Sequence, residues 1–180
     1  MYYIITCLSP EHGYLANLDY DWSEDEDPLR SWMAGERFDL LPPLPVRTTR
    51  EEREDTILAE LYQVPVPLMT TRLYDVLVQA GVTNIDTYPA EIHEPAKGIT
   101  HKNEYVAFNI VGLRSAAALT RHDDVLISAP HVSDQAGPNG LLFRLQESVN
   151  AIFIHASVKE AIEAAGIDTL TFLEPSEWTG

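Results

Sequence analysis

Apolar residues along this chain recur at two periods, and each period announces its own kind of element. Residues 2–8, Tyr-Tyr-Ile-Ile-Thr-Cys-Leu, form a short β-branched and aromatic run that predicts a buried strand. Further on, Leu73, Val76, Leu77 and Ala80 stand at i, i+3, i+4 and i+7, one stripe of an amphipathic helix. Gly81 follows at the position where a left-handed residue ends a helix. Val82 to Ile92 then predicts a strand through Ile85, Thr87, Tyr88 and Ile92. Near the end of the sequence the device returns. Val158, Ala161, Ile162 and Ala165 repeat the stripe, and Ser157 with Glu160 offers a capping box. Gly166 closes the helix, and Leu170 to Leu173 predicts a strand. A shift of 85 residues (166 − 81) superposes the apolar positions of the two helices. Ala151–Ile154 before the second helix then corresponds to Val64–Leu68 before the first. Internal duplication and chance recurrence of a common local pattern both account for this. Under either, a helix packs on a sheet in each unit.

Between these units lie three strand candidates: Tyr105 to Val111, Asp124 to Ala129, and Leu141 to Leu145 behind the turn-forming Pro138-Asn139-Gly140. Thr48 with Glu51, or Thr49 with Glu52, gives a capping-box pattern, and Ile57, Leu58 and Leu61 share one helical face. Residues 48–62 therefore read as a short helix, or else as a charged linker. Pro42, Pro43 and Pro45 predict an extended connection. Strands outnumber helices, which predicts an α+β fold. A mixed or largely antiparallel sheet would carry two principal amphipathic helices. Residues 1–60 form a first segment of strand and acidic, proline-rich loop. Residues 61–180 form the α+β body, and the two are expected to make one compact unit.

Charge changes the picture of partners. The chain of 180 residues carries 28 Asp and Glu against 12 Lys and Arg, a formal charge of −16. Nucleic acids and anionic membranes are bound through cationic side chains, so neither is an expected partner. A basic protein would be steered toward such a surface. Solubility alone is the other account of the acidity. The start of the sequence lacks the basic region of a signal peptide, and Pro10-Glu11-His12 breaks its apolar run. No apolar stretch approaches the roughly 18 residues of a membrane-spanning helix. Cys7 is alone, so no internal disulfide can form. These features fit a reducing cytoplasm.

Catalytic signatures are missing. No phosphate-cradling glycine loop and no G-x-S-x-G elbow occurs. Cys7 lies in an apolar run, where a thiol is usually an inert core residue. None of the six histidines is paired at metal-binding helical spacing. The densest polar cluster, Arg121-His122-Asp123-Asp124, would serve an enzyme of unrecognised type or hold a cation; a strand cap or surface turn is the plainer account. Asp19, Asp21 and Ser23 match the start of a calcium-binding EF-hand loop, but Glu24 stands where glycine is needed and Arg30 where a bidentate Glu is needed, so calcium is rejected. No cofactor and no metal is expected.

What remains is the acidic loop. Asp19, Asp21, Glu24, Asp25, Glu26 and Asp27 surround Trp22 and adjoin Tyr20. Aromatics anchor protein interfaces while surrounding charge guides encounter. Those acids with Trp22 are the candidate binding residues. The alternative is a solvated loop with Trp22 tucked into the core.

Residues 62–174 also carry an ordered series of motifs: Leu73–Gly81, Asn103–Asn109, Leu142-Phe143-Arg144-Leu145, Ile152–Ile154, Val158–Gly166 and Leu170–Phe172. In this order and spacing the chain resembles a bacterial family of immunity proteins for polymorphic toxins, once catalogued as a domain of unknown function. It departs from that family where Ala117 to Asp124 replaces an Asp and Ser, and where Asp168 and Thr169 replace a glycine turn. The resemblance implies a cytoplasmic immunity protein that binds and neutralises a cognate toxin encoded by an adjacent gene. Occlusion suffices for that, so an enzyme is not expected. A regulatory protein-binding module with another partner is the remaining alternative.

Overall fold

The period-2 and period-3.6 segments fold into an α+β structure of mixed sheets carrying two helices, seen in a computed structural model that describes residues 1–7, 14–27, 30–53, 55–115 and 140–178. Thirteen strands are described. They are β1 (Tyr2–Cys7), β2 (Tyr14–Leu15), β3 (Leu18–Tyr20), β4 (Val46–Arg50), β5 (Thr56–Ile57), β6 (Leu61–Tyr62), β7 (Leu68–Thr70), β8 (Ile85–Glu94), β9 (Ile99–Ile110), β10 (Leu113–Arg114), β11 (Leu142–Leu145), β12 (Ser148–His155) and β13 (Leu170–Leu173). The helices are α1 (Thr71–Gln79) and α2 (Ala156–Ala164). A six-stranded sheet runs β3-β4-β8-β9-β7-β6, a five-stranded sheet runs β10-β11-β12-β1-β13, and β2 pairs with β5. Most neighbours are antiparallel; β2 with β5, β4 with β8 and β10 with β11 are parallel.

Both large sheets are covered on two faces, which explains why β1 reads as an unbroken apolar run rather than an alternating one. Ile5 joins the main core, while Tyr2 and Ile4 join a second cluster with Phe143 and Phe153 on the far side of the sheet. The main core is shared: Leu73 and Leu77 of α1, Val158 and Ile162 of α2, Ile5, Phe108, Ile152 and Ile154 all meet there. A third cluster backs the six-stranded sheet, where Trp32 packs edge-on against Phe38 and Tyr88. Segment 1–60 contributes to both sheets, since β1 lies between β12 and β13 while β3 and β4 extend the other sheet.

The two helical units match closely under the shift of 85. Each is a strand–helix–strand unit whose two strands are parallel and separated by one antiparallel strand, β9 in the first and β1 in the second. The helix exits repeat bond for bond. Ala80 N donates to Val76 O, Gly81 N to Val78 O and Val82 N to Leu77 O; Ala165, Gly166 and Ile167 do the same to Ala161, Glu163 and Ile162. Gly81 and Gly166 take φ of +94° and +69°, where an L side chain is strained. The strand before α1 is Leu68–Thr70, with β12 ending at His155 as its counterpart, in place of Val64–Leu68 against Ala151–Ile154.

Several expectations are corrected. The described residues of 48–62 form no helix. Val46–Arg50 is β4, with Val46 and Thr48 buried and Arg47 and Thr49 exposed, and it pairs in parallel with Ala90–His93 of β8. The alternation and β-branching of that stretch outweigh its capping-box pattern. Ser157 does not cap α2; His155 does, accepting from Ser157 N through Nδ1 at 3.2 Å. Thr70 plays that part for α1, its hydroxyl accepting from Leu73 N at 3.2 Å. β9 is longer than Tyr105–Val111, and β8 starts at Ile85 because Val82 closes the helix. Pro89 is tolerated within β8 because the pairing with β4 begins one residue later. The expected strand Asp124–Ala129 lies outside the described residues.

Candidate functional site

The acidic loop grows out of β3, an edge strand of the six-stranded sheet that pairs only with β4 in that sheet. Asp21 follows the strand and caps the helical turn Trp22–Glu24. Its Oδ1 accepts from Ser23 N at 2.9 Å and from Ser23 Oγ at 2.6 Å. Those hydrogen bonds, the side-chain one first, hold its carboxyl below the usual range. Trp22 packs edge-on against Tyr20 with ring centroids 4.8 Å apart, yet remains 48% exposed. It is therefore not tucked into the core, whereas Trp32 is buried.

The candidate acids divide into two groups. Asp19, Asp21, Glu24 and Glu26 are exposed, and Asp27 is half-buried. Asp25 is buried and fully engaged. Arg30 grips it with a two-pronged guanidinium, Nε to Oδ2 at 2.7 Å and Nη2 to Oδ1 at 3.0 Å. Asp25 Oδ1 also accepts from Asp27 N at 2.9 Å, and Arg30 Nη1 donates to Leu40 O at 2.5 Å. Asp25 is thus the anchor of the loop, not part of the face it presents. The Arg30 hydrogen bond, working against burial, holds its carboxyl low. The result is a turn whose root is fixed and whose rim displays like charges around an aromatic ring.

A second polar node escaped sequence reading. Glu94, at the end of β8, is buried and receives Arg50 from β4 at 2.6 Å, Lys97 at 2.9 Å and His101 of β9 at 2.6 Å. Burial opposes its charge, but the Lys97 and His101 hydrogen bonds and the Arg50 charge outweigh it and hold the carboxyl at about 2. His101 also meets Glu104 at 3.0 Å; burial lowers its affinity for a proton, and the two carboxylates more than restore it. A carboxyl held so low is a poor proton acceptor near neutral pH. The node ties β4, β8 and β9 together. No motif signalled it, because its members come together only through strand pairing.

A cleft of about 470 Å³ lies between the sheets, lined by residues including Cys7, Asn17, Leu18, Glu51, Tyr62 and Gln63. Burial pushes the Cys7 thiol up, and its Sγ contacts Thr169 O at 3.4 Å, so little thiolate forms near neutral pH. Burial likewise pushes the Tyr62 phenol up to about 12. Among the described residues no group of three or more His, Cys, Asp or Glu is placed to hold a metal ion, and no helix is long and apolar enough to cross a membrane. His122, Asp123 and Asp124 lie outside the described residues. No protein-family model matches the chain, and no curated protein matches it.

Proposed function

We propose that this chain is a cytoplasmic immunity-type protein that binds a cognate toxin and silences it by covering it, with no bond made or broken. The observation that supports this most is the rim of Asp19, Asp21, Glu24 and Glu26 about the half-exposed Trp22, set on a turn rooted by the buried Asp25–Arg30 pair. An aromatic ring held in place amid charges of one sign has the anatomy of an interface anchor with a steering rim. The formal charge of −16 selects a basic partner. The ordered motifs over residues 62–174 favour the immunity class.

Co-expression with the toxin encoded beside this gene tests the reading: growth is rescued and a stable complex is recovered. Growth arrest that persists with soluble immunity-type protein present, beside a toxin shown to be active, overturns it. Within a recovered complex, Trp22→Ala is expected to weaken binding at least tenfold. The triple reversal Asp19→Lys, Glu24→Lys, Glu26→Lys should slow association and flatten its salt dependence. Unchanged affinity and unchanged salt dependence would move the interface elsewhere.

A further inference from the structure

Among the described residues two arginines, Arg30 and Arg144, are buried and can be compared directly. Arg30 uses Nη1 on a backbone carbonyl and spends its Nε/Nη2 edge on the Asp25 carboxylate. Arg144, in the middle of β11, begins the same way. Its Nη1 donates to Val149 O at 2.5 Å and to Gln63 Oε1 at 2.8 Å. Its Nε and Nη2 are buried and have no hydrogen-bond partner, although the residue is only 1% exposed. The unused edge is the pair of parallel N–H groups that matches an oxyanion bidentately. Burying a guanidinium without a counter-charge is costly. A chain with 28 carboxylates could have placed one there, and no described carboxylate is within ion-pairing distance. Desolvation is unopposed, which pulls this group down to about 10 and still leaves it cationic near neutral pH.

Two further observations bear on the surroundings of the edge. The pairing of β11 with β12 shifts register between Arg144 and Leu145, and such bulges re-aim side chains. Gln63 both holds Nη1 and lines the 470 Å³ cleft, so the guanidinium is one hydrogen bond away from a cleft residue. Val64 beside it is 69% exposed.

We propose that the Nε/Nη2 edge of Arg144 is a binding site for a small oxyanion, a carboxylate or a phosphate. The test is a thermal-unfolding titration with acetate in one arm and inorganic phosphate in the other, at ionic strength held constant with chloride. In the wild-type chain, Tm is expected to rise with at least one anion and saturate, by roughly 5–10 °C at a hundredfold excess over the midpoint. Arg144→Met should lose that response. Arg144→Lys, which keeps charge but not the parallel donors, should retain only a weak one. An Nε–H resonance of Arg144 that moves downfield in parallel gives a readout independent of stability. The arm that saturates at lower concentration identifies the ligand class. A wild-type Tm that follows ionic strength alone, or equal responses in wild type and Arg144→Met, overturns the proposal.

Discussion

Replacing Asp25 by Ala leaves the Arg30 guanidinium buried with no counter-charge, and the expected loss is about 3–5 kcal/mol. The neighbouring Glu24 and Glu26 are exposed, so their reversal to Lys should change stability by no more than about 0.5 kcal/mol. Urea unfolding separates the two cases. Glu94 makes a second prediction at this scale. Its carboxyl falls from an ordinary 4.5 to about 2 on folding, so the folded state binds that proton less tightly. The stability it gives is complete above about 4.5 and is lost as pH falls from there toward 2. His101 is shifted the other way, so its contribution is present below its ordinary 6.5 and fades as pH rises through its higher folded value. Unfolding free energies measured from pH 2 to 8 should show the acid limb flatten in Glu94→Gln. An acid limb of the same steepness in that variant would remove Glu94 as its source.

At the scale of elements, the helices were legible because Leu73–Ala80 and Val158–Ala165 repeat at 3.6 and end in glycine. Gly81→Ala and Gly166→Ala should each cost about 1 kcal/mol from positive φ. A Cβ on Gly81 would also meet Leu141 Cδ1 at 3.4 Å, whereas one on Gly166 finds only Arg72 Nη2 at 3.7 Å. Both are ordinary contacts, so backbone decides: φ of +94° at Gly81 lies further from the left-handed well near +57° than +69° at Gly166, and the Gly81 variant should be the less stable of the two, as denaturant midpoints would report. Strand β4 was misread because Thr48 and Glu51 imitate a helix cap, while its β character depends on a partner strand more than forty residues away. His155 was missed as a cap because its acceptor, Nδ1, depends on tautomer, and Ser157 is the commoner capping residue. The Glu94 node and the Arg144 edge were invisible for another reason: each joins residues whose proximity exists only after strands pair. The exposed part of the acidic loop was readable from composition; the buried role of Asp25 was not, since nothing local distinguishes it from Glu24.

For the whole molecule, the decisive arrangement is one core fed by both helices and both sheets. Arg72 near the start of α1 donates to the Ala165 and Gly166 carbonyls at the end of α2, clasping the two units. Leu77→Ala and Ile162→Ala should each cost about 2–5 kcal/mol, and each should shift one common unfolding transition rather than split it. Two transitions, by calorimetry or by fluorescence against circular dichroism, would contradict a shared core. Strand β1 has a consequence in time as well as in space. Tyr2 pairs with His155 and Ile4 with Leu173, so the first described strand waits for the last described one. On the ribosome the six-stranded sheet has all its described strands once Ile110 has emerged, while Tyr2–Cys7 stays without its two neighbours until β12 and β13 have followed. During that interval the nascent chain exposes a sticky apolar ribbon, which is a natural target for a chaperone. A ribosome that stalls before residue 170 leaves a product lacking β13 and one side of β1, and such a fragment should be cleared rather than accumulate.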